Sequence, residues 1–253
     1  MKGRCRVLLL LALVWVRAEA EPDRFGFSLG AEYTTGDYGL TRATEVWQLP
    51  LTLSYTHGRA LIKLGLSWLD VSGPAHVIDG IATTNQRRRA PTAVSGPGDV
   101  TVAASYAVHD DRATSWLVDL TGKVKLGLAD AERGLGTGEN DYTVQLDFNS
   151  SRGRWQRFAT LGWRQMGDSP TLDYRDRWLG GLGATYTYAP RTQLGASWDY
   201  RQPVLADGAA LSELTLFASL PLDPRWKLQP YLMRGFTDAS SEWGAGIGVA
   251  ARF

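Results

Sequence analysis

The 253-residue chain has one cysteine, Cys5, three histidines and no long apolar run. Cys5 lies among the first basic residues, before the apolar stretch, so it is not placed as a lipid-anchor cysteine. Beyond it the chain has no thiol, which excludes disulfides and thiolate metal sites from the remainder. No two histidines share a metal-ligand spacing. Neither charge dominates: 27 Lys and Arg stand against 26 Asp and Glu. A basic surplus of the kind that binds nucleic acid is therefore missing. The longest apolar run, Val7–Val16, covers ten residues, which as a helix span about 15 Å, half a bilayer core.

That run instead fits a secretory signal. Lys2, Arg4 and Arg6 precede it, and Ala18-Glu19-Ala20 follows with a small-x-small pattern that places cleavage after Ala20. Residues 1–20 are thus expected to be a signal peptide and 21–253 one exported domain. Ten tryptophans, ten tyrosines and 28 glycines are present. Alternation of apolar and polar residues recurs, while the i, i+3, i+4 spacing of amphipathic helices is rare.

Twelve alternating segments of roughly ten residues are predicted: Phe25–Tyr33, Glu45–Tyr55, Ala60–Leu69, Val100–Val108, Trp116–Leu128, Tyr142–Phe148, Trp155–Gln165, Trp178–Tyr188, Gln193–Arg201, Glu213–Leu220, Trp226–Gly235 and Trp243–Phe253. Short links follow the even segments. Mostly longer, Gly/Asp/Pro-rich links follow the odd ones, Val71–Gly98 being the longest. This is the pattern of an all-β, closed antiparallel transmembrane β-barrel of about twelve strands, in the bacterial outer membrane, with periplasmic turns, external loops and periplasmic termini. Aromatic residues then fall into two belts. Phe25, Tyr55, Trp116, Trp155, Trp226 and Phe253 lie at one rim; Tyr33, Trp47, Trp68, Trp163, Trp178 and Trp243 lie at the other. A soluble β-sandwich or lipocalin-like barrel has no reason to place tryptophans at both rims of an apolar outer face. The terminal aromatic Phe253 resembles the assembly signal read by the outer-membrane barrel-assembly machinery.

On the opposite face, alternation sends Glu32, Gln48, Lys63, Asp119, Lys123, Lys125, Asp147, Arg164, Asp199, Arg201, Glu213, Lys227 and Arg252 inward. Charges so numerous would cost several kcal/mol each in a dry core unless all were paired. A polar, pore-like lumen of mixed sign is expected, with Lys63, Asp119, Lys123, Lys125, Asp147, Arg164, Asp199 and Arg201 lining it; a paired, plugged interior is the other reading. Arg87-Arg88-Arg89 in the long link reads as a solvated charge run, with contact to lipopolysaccharide phosphates or inward folding as alternatives.

An enzyme is not expected. A barrel phospholipase needs a strand-borne His and Ser at one rim, and an omptin-like protease a His with carboxylates. His57 and His109 fall in short turns and His76 in the long link. Gly134-Leu135-Gly136-Thr137-Gly138 lacks the Lys-Ser/Thr and the helix of a phosphate loop. No cofactor is implied.

Two loop-to-strand junctions carry a family likeness. Gly96-Pro97-Gly98-Asp99 leads to Tyr106, and Gly134–Gly138 leads to Asp141. Lys123-Val124-Lys125-Leu126-Gly127 lies between them. This layout resembles the outer-membrane transporters grouped as the "MetA-pathway of phenol degradation" family, regarded as barrel channels for small, often aromatic, compounds. The resemblance implies passive or facilitated passage of such solutes. A non-conducting structural or adhesion barrel and a lipid-modifying enzyme are the alternatives. The expected partners are outer-membrane lipid, lipopolysaccharide, the assembly machinery and a small-molecule solute.

Overall fold

The computed structural model describes residues 24–253 except 75, 79–80, 84–92, 112 and 169–172. Ala18, Ala20 and Arg87–Arg89 lie outside the described residues. Twelve strands form the wall: β1 Arg24–Gly36, β2 Thr44–His57, β3 Ala60–Ser72, β4 Val100–Asp111, β5 Trp116–Leu126, β6 Asp141–Arg152, β7 Trp155–Gln165, β8 Arg177–Ala189, β9 Thr192–Arg201, β10 Leu211–Pro221, β11 Trp226–Gly235 and β12 Trp243–Arg252. Each pairs antiparallel with its chain neighbours, and β1 also pairs with β12, so the sheet closes. At the seam, Phe25 N–H donates to Phe253 O (3.1 Å) and Phe253 N–H donates to Phe25 O (2.9 Å). Closure leaves no open sheet edge, the condition for a sheet to cross lipid.

The expected strands are all present, with shifted ends. β6 runs on to Arg152 because Asn149–Arg152 still pair with β7. β5 stops at Leu126, where Gly127 N–H turns to the Asn140 side chain (3.0 Å). The link expected from Val71 to Gly98 carries pairing of its own. His76–Ile78 pairs with Ile81–Thr83, and Val94–Pro97 extends β4 along β3.

One end is closed by tight turns. Between β2 and β3 only Gly58 and Arg59 intervene, and Gly58 takes φ +52°, where a side chain is disfavoured. At this turn end, Phe25 meets Tyr55 (4.9 Å between rings) and Trp155 meets Tyr186 (5.1 Å). At the loop end, Tyr33 meets Trp47 (5.0 Å) and Trp163 meets Trp178 (5.3 Å). These are direct cross-strand pairs, so the two aromatic belts follow from register. Between the belts Leu29, Leu53, Ile62, Leu120, Leu161, Leu182, Leu216 and Ile247 are exposed. An apolar band of that extent on the outside of a closed sheet is a lipid face.

Candidate functional site: the lumen

Residues alternate along every strand, so those between the exposed apolar positions face the lumen. Following direct partners from strand to strand shows how they are grouped. Arg252 pairs with Gly26, Gly26 with Ser54, and Ser54 with Lys63. Lys63 pairs with Ala103, Ala103 with Lys123, Lys123 with Thr143, Thr143 with Arg164, and Arg164 with Arg177. Five cations therefore stand in one register row. Barrel strands tilt, so a row that crosses them at right angles climbs the wall. Arg252 ends β12 at the turn end, and Arg177 begins β8 at the loop end. The row thus winds from one rim to the other.

A second row has the opposite sign. Ala107 pairs with Asp119, Asp119 with Asp147, Asp147 with Thr160, Thr160 with Gly181, Gly181 with Asp199, and Asp199 with Glu213. Between the two runs a row that is neutral from Leu61 through Ser105, Thr121, Gln145 and Gly162 to Leu179, with Arg201 beyond it. Asp147 is held by three neighbours: Thr121 Oγ1 (2.9 Å), Gln145 Nε2 (2.8 and 3.0 Å) and Thr160 Oγ1 (2.7 Å) all donate to it. Ser105 and Thr121 hydroxyls share a further bond of 2.8 Å. The neutral row is thereby hydrogen-bonded into the acidic one.

Lys125, two residues beyond Lys123, has a different role. Its Nζ lies 2.7 Å from Asp141 Oδ2 and 3.9 Å from Asp99 Oδ2, and donates to Thr137 Oγ1 (3.2 Å). Ala129 N–H donates to Asp99 Oδ1 (2.8 Å), and Gly167 N–H to Asp141 Oδ1 (3.1 Å). The motifs that carry the family likeness thus meet in one buried knot. Around it Ala129 and Leu135 pack on lumen-facing Leu69 and Val71. The link between β5 and β6 therefore lies inside the barrel mouth and narrows it. Across the mouth, Tyr38 Oη lies 2.7 Å from Ser241 Oγ, joining the first link to the last. Burial pushes the Tyr38 hydroxyl up to about 12.

Three aromatic rings also point inward: Phe158, Phe217 and Tyr231. Each lies beside a glycine directly opposite on the next strand, Gly183, Gly195 and Gly246 respectively. A Cβ at Gly183 or Gly246 would occupy the space of the Phe158 or Tyr231 ring. Tyr231 crosses Gly246 towards Glu32, which pairs with Gly246 from the other side.

The structure thus brings Lys63, Lys123 and Arg164 into one row and Asp119, Asp147 and Asp199 into another, and places Arg201 in the row between. Alternation alone gave these residues a common face but not common rows. Alternation starts the eighth strand at Trp178 and leaves Arg177 in the link before it; in the structure Arg177 opens β8 with 2% exposure. The inward aromatics are not legible in any one strand, because their signal is the pairing of a ring with a glycine on the next strand. His57 ends β2 and His109 sits at a bulge near the end of β4.

A closed twelve-stranded wall with two aromatic belts, an apolar outer band and a charged interior is an integral β-barrel of the outer-membrane type. Solved structures share the architecture. The COG4313 outer membrane channel from Pseudomonas putida F1 matches with a TM-score of 0.69 at 15% identity, covering 94% of this chain and 99% of that one. The NanC porin matches at 0.58 and 12% identity, covering 89% and 98%. The KdgM porin, solved in complex with disordered oligogalacturonate, matches at 0.58 and 10%, covering 89% and 99%. At such identities the likeness is one of fold. No family model and no curated protein matches the chain.

Proposed function

We propose that the protein is an outer-membrane channel for the passive or facilitated passage of small solutes, anionic and aromatic-acid compounds among them. The observation that carries this reading is the basic row, which offers cations from one rim to the other. In a narrow lumen with low-dielectric walls, fixed charge of this kind raises the local concentration of counter-charged solute. Lumen-facing Asp119, Asp147, Asp199 and Glu213 offset it, so the expected anion preference is weak. The likeness to the phenol-degradation transporters supports a small aromatic solute, and the solved proteins that share the fold are a channel and two porins. In the same reading the tight turns and both termini are periplasmic, the long links, Arg87–Arg89 among them, face outward, and Phe253 engages the assembly machinery. No residue is assigned a catalytic role.

The folded-in β5–β6 link is the observation that favours the other reading, a non-conducting barrel. Purified protein in planar bilayers separates the two. Small, stable single-channel steps are expected; a barrel that inserts and never conducts would overturn the proposal. Incubation with phospholipid or lipopolysaccharide should leave both unmodified.

A further inference from the structure

Between the two aromatic belts the outward positions of the wall are mostly apolar. β7 departs from this. Trp155, Arg157, Ala159, Leu161 and Trp163 share its outward face by alternation, and Trp155 and Leu161 are exposed there. Arg157, also exposed, thus lies two residues inside the turn-end belt, about 7 Å along the strand. A charge on the lipid face costs more the deeper it lies, so this guanidinium must turn back to the headgroup level.

Its surroundings suit an anion. The direct partners of Arg157 are Ser150 of β6 and Ala184 of β8, small side chains that cannot cover it. In the next row towards the rim, Trp155 stands between Arg152 and Tyr186, its ring 5.1 Å from that of Tyr186. Arg154, in the turn beyond, donates from Nη1 to Tyr186 Oη at 3.4 Å. Arg152, Arg154 and Arg157 therefore flank one ring pair. Among the described residues, the outward faces of β6, β7 and β8 carry no carboxylate, and the tight turns 153–154 and 190–191 contain none. A phospholipid meets both demands of the place. Its phosphate accepts from the forked guanidinium donors, and its acyl chains lie along the exposed Leu146, Leu161 and Leu182 towards the midplane.

We propose that Arg157, with Arg152 and Arg154, forms a binding site for one anionic phospholipid in the leaflet at the turn end. Under the topology proposed above this is the periplasmic leaflet, the phospholipid side of an outer membrane. The site lies outside the lumen and is independent of conduction.

Native mass spectrometry of the purified barrel in neutral detergent, titrated with phosphatidylglycerol or phosphatidylcholine, tests this. Wild type should retain one phosphatidylglycerol in preference to phosphatidylcholine. Arg157→Gln should weaken that binding about fivefold, the worth of one basic residue at an anionic surface, and Arg152→Gln added to it should weaken it further. Arg157→Lys, which keeps the charge and loses the fork, should fall between wild type and Arg157→Gln. Arg225→Gln removes the same charge from the exposed β10–β11 turn and should change binding by less than about twofold. Each substitution alters an exposed side chain, so heat-modifiable barrel should form throughout. Equal retention of the two lipids by wild type, or equal losses in Arg157→Gln and Arg225→Gln, would mean diffuse attraction to a basic rim and would overturn the site. Preference for lipopolysaccharide over phosphatidylglycerol at the same arginines would overturn the proposal together with the topology, and would leave the channel standing.

Discussion

Lys123 and Arg164 flank Thr143 from opposite sides: Lys123 is its direct partner on β5 and Arg164 its direct partner on β7. Arg164 Nε donates to the threonine hydroxyl at 3.3 Å. One small polar residue thus spaces two cations that the sequence places 41 positions apart, and the same spacing by Ala103 sets Lys63 beside Lys123. The row exists because barrel register, and not chain proximity, decides lumenal neighbours.

The buried knot at the mouth should be expensive to break. Lys125→Met leaves Asp99 and Asp141 buried without that cation, and removing one partner of a buried ion pair costs about 3 kcal/mol or more. Urea unfolding in detergent should show the loss, and limited proteolysis should cut between Leu128 and Asn140. Lys125→Arg should restore much of the protection. If Lys125→Met unfolds like wild type and the link stays uncut, the knot does not anchor it.

Ring-on-glycine packing makes a second prediction. Gly183→Val puts two methyls where the Phe158 ring lies, and overpacking of this kind costs about 1–3 kcal/mol. Adding Phe158→Ala should recover part of that loss. Strictly additive effects in a double-mutant cycle would mean that ring and glycine do not share the space.

The outer face is tested by charge. Leu120 is 44% exposed in mid-strand. Arginine at a midplane lipid-facing site costs about 2–4 kcal/mol, so Leu120→Arg should destabilise strongly. Ala103→Ser, on the lumen side of the neighbouring strand, should change little. Equal costs in urea titrations would invert the assignment of faces.

Tyr38 predicts a pH dependence. Its folded-state value, near 12, lies above the ordinary phenol value of 10, so the folded state holds the proton more tightly. The contribution is complete below pH 10 and is lost as pH rises from 10 towards 12. Proteolytic protection of the 37–43 link should fall in that window, and Tyr38→Phe should flatten the fall. Protection that is pH-independent in the wild type would contradict the role of burial.

Much of this was legible in the chain. Alternation such as Trp47-Gln48-Leu49 and Ile62-Lys63-Leu64 gives the strands and their faces, and link lengths give closure with an even strand count. Deletion of Phe253 is expected to slow insertion, as its resemblance to an assembly signal suggests. Row membership was not legible, because a two-residue shift between β5 and β6 or between β6 and β7 would separate Lys123 from Arg164 without altering any strand's pattern. Nor was the fate of Lys125. Its parity matches that of Lys123, and only the return of the 127–140 link to the mouth gives it Asp141 and Asp99.

The channel itself is tested most directly by reversal potential in planar bilayers under a salt gradient. Wild type should conduct with a weak anion preference. Lys63→Glu with Lys123→Glu should move the reversal potential towards cations, most at low salt, where screening is weakest. A protein that inserts without conducting, or channels whose reversal potential ignores the double substitution, would contradict the account.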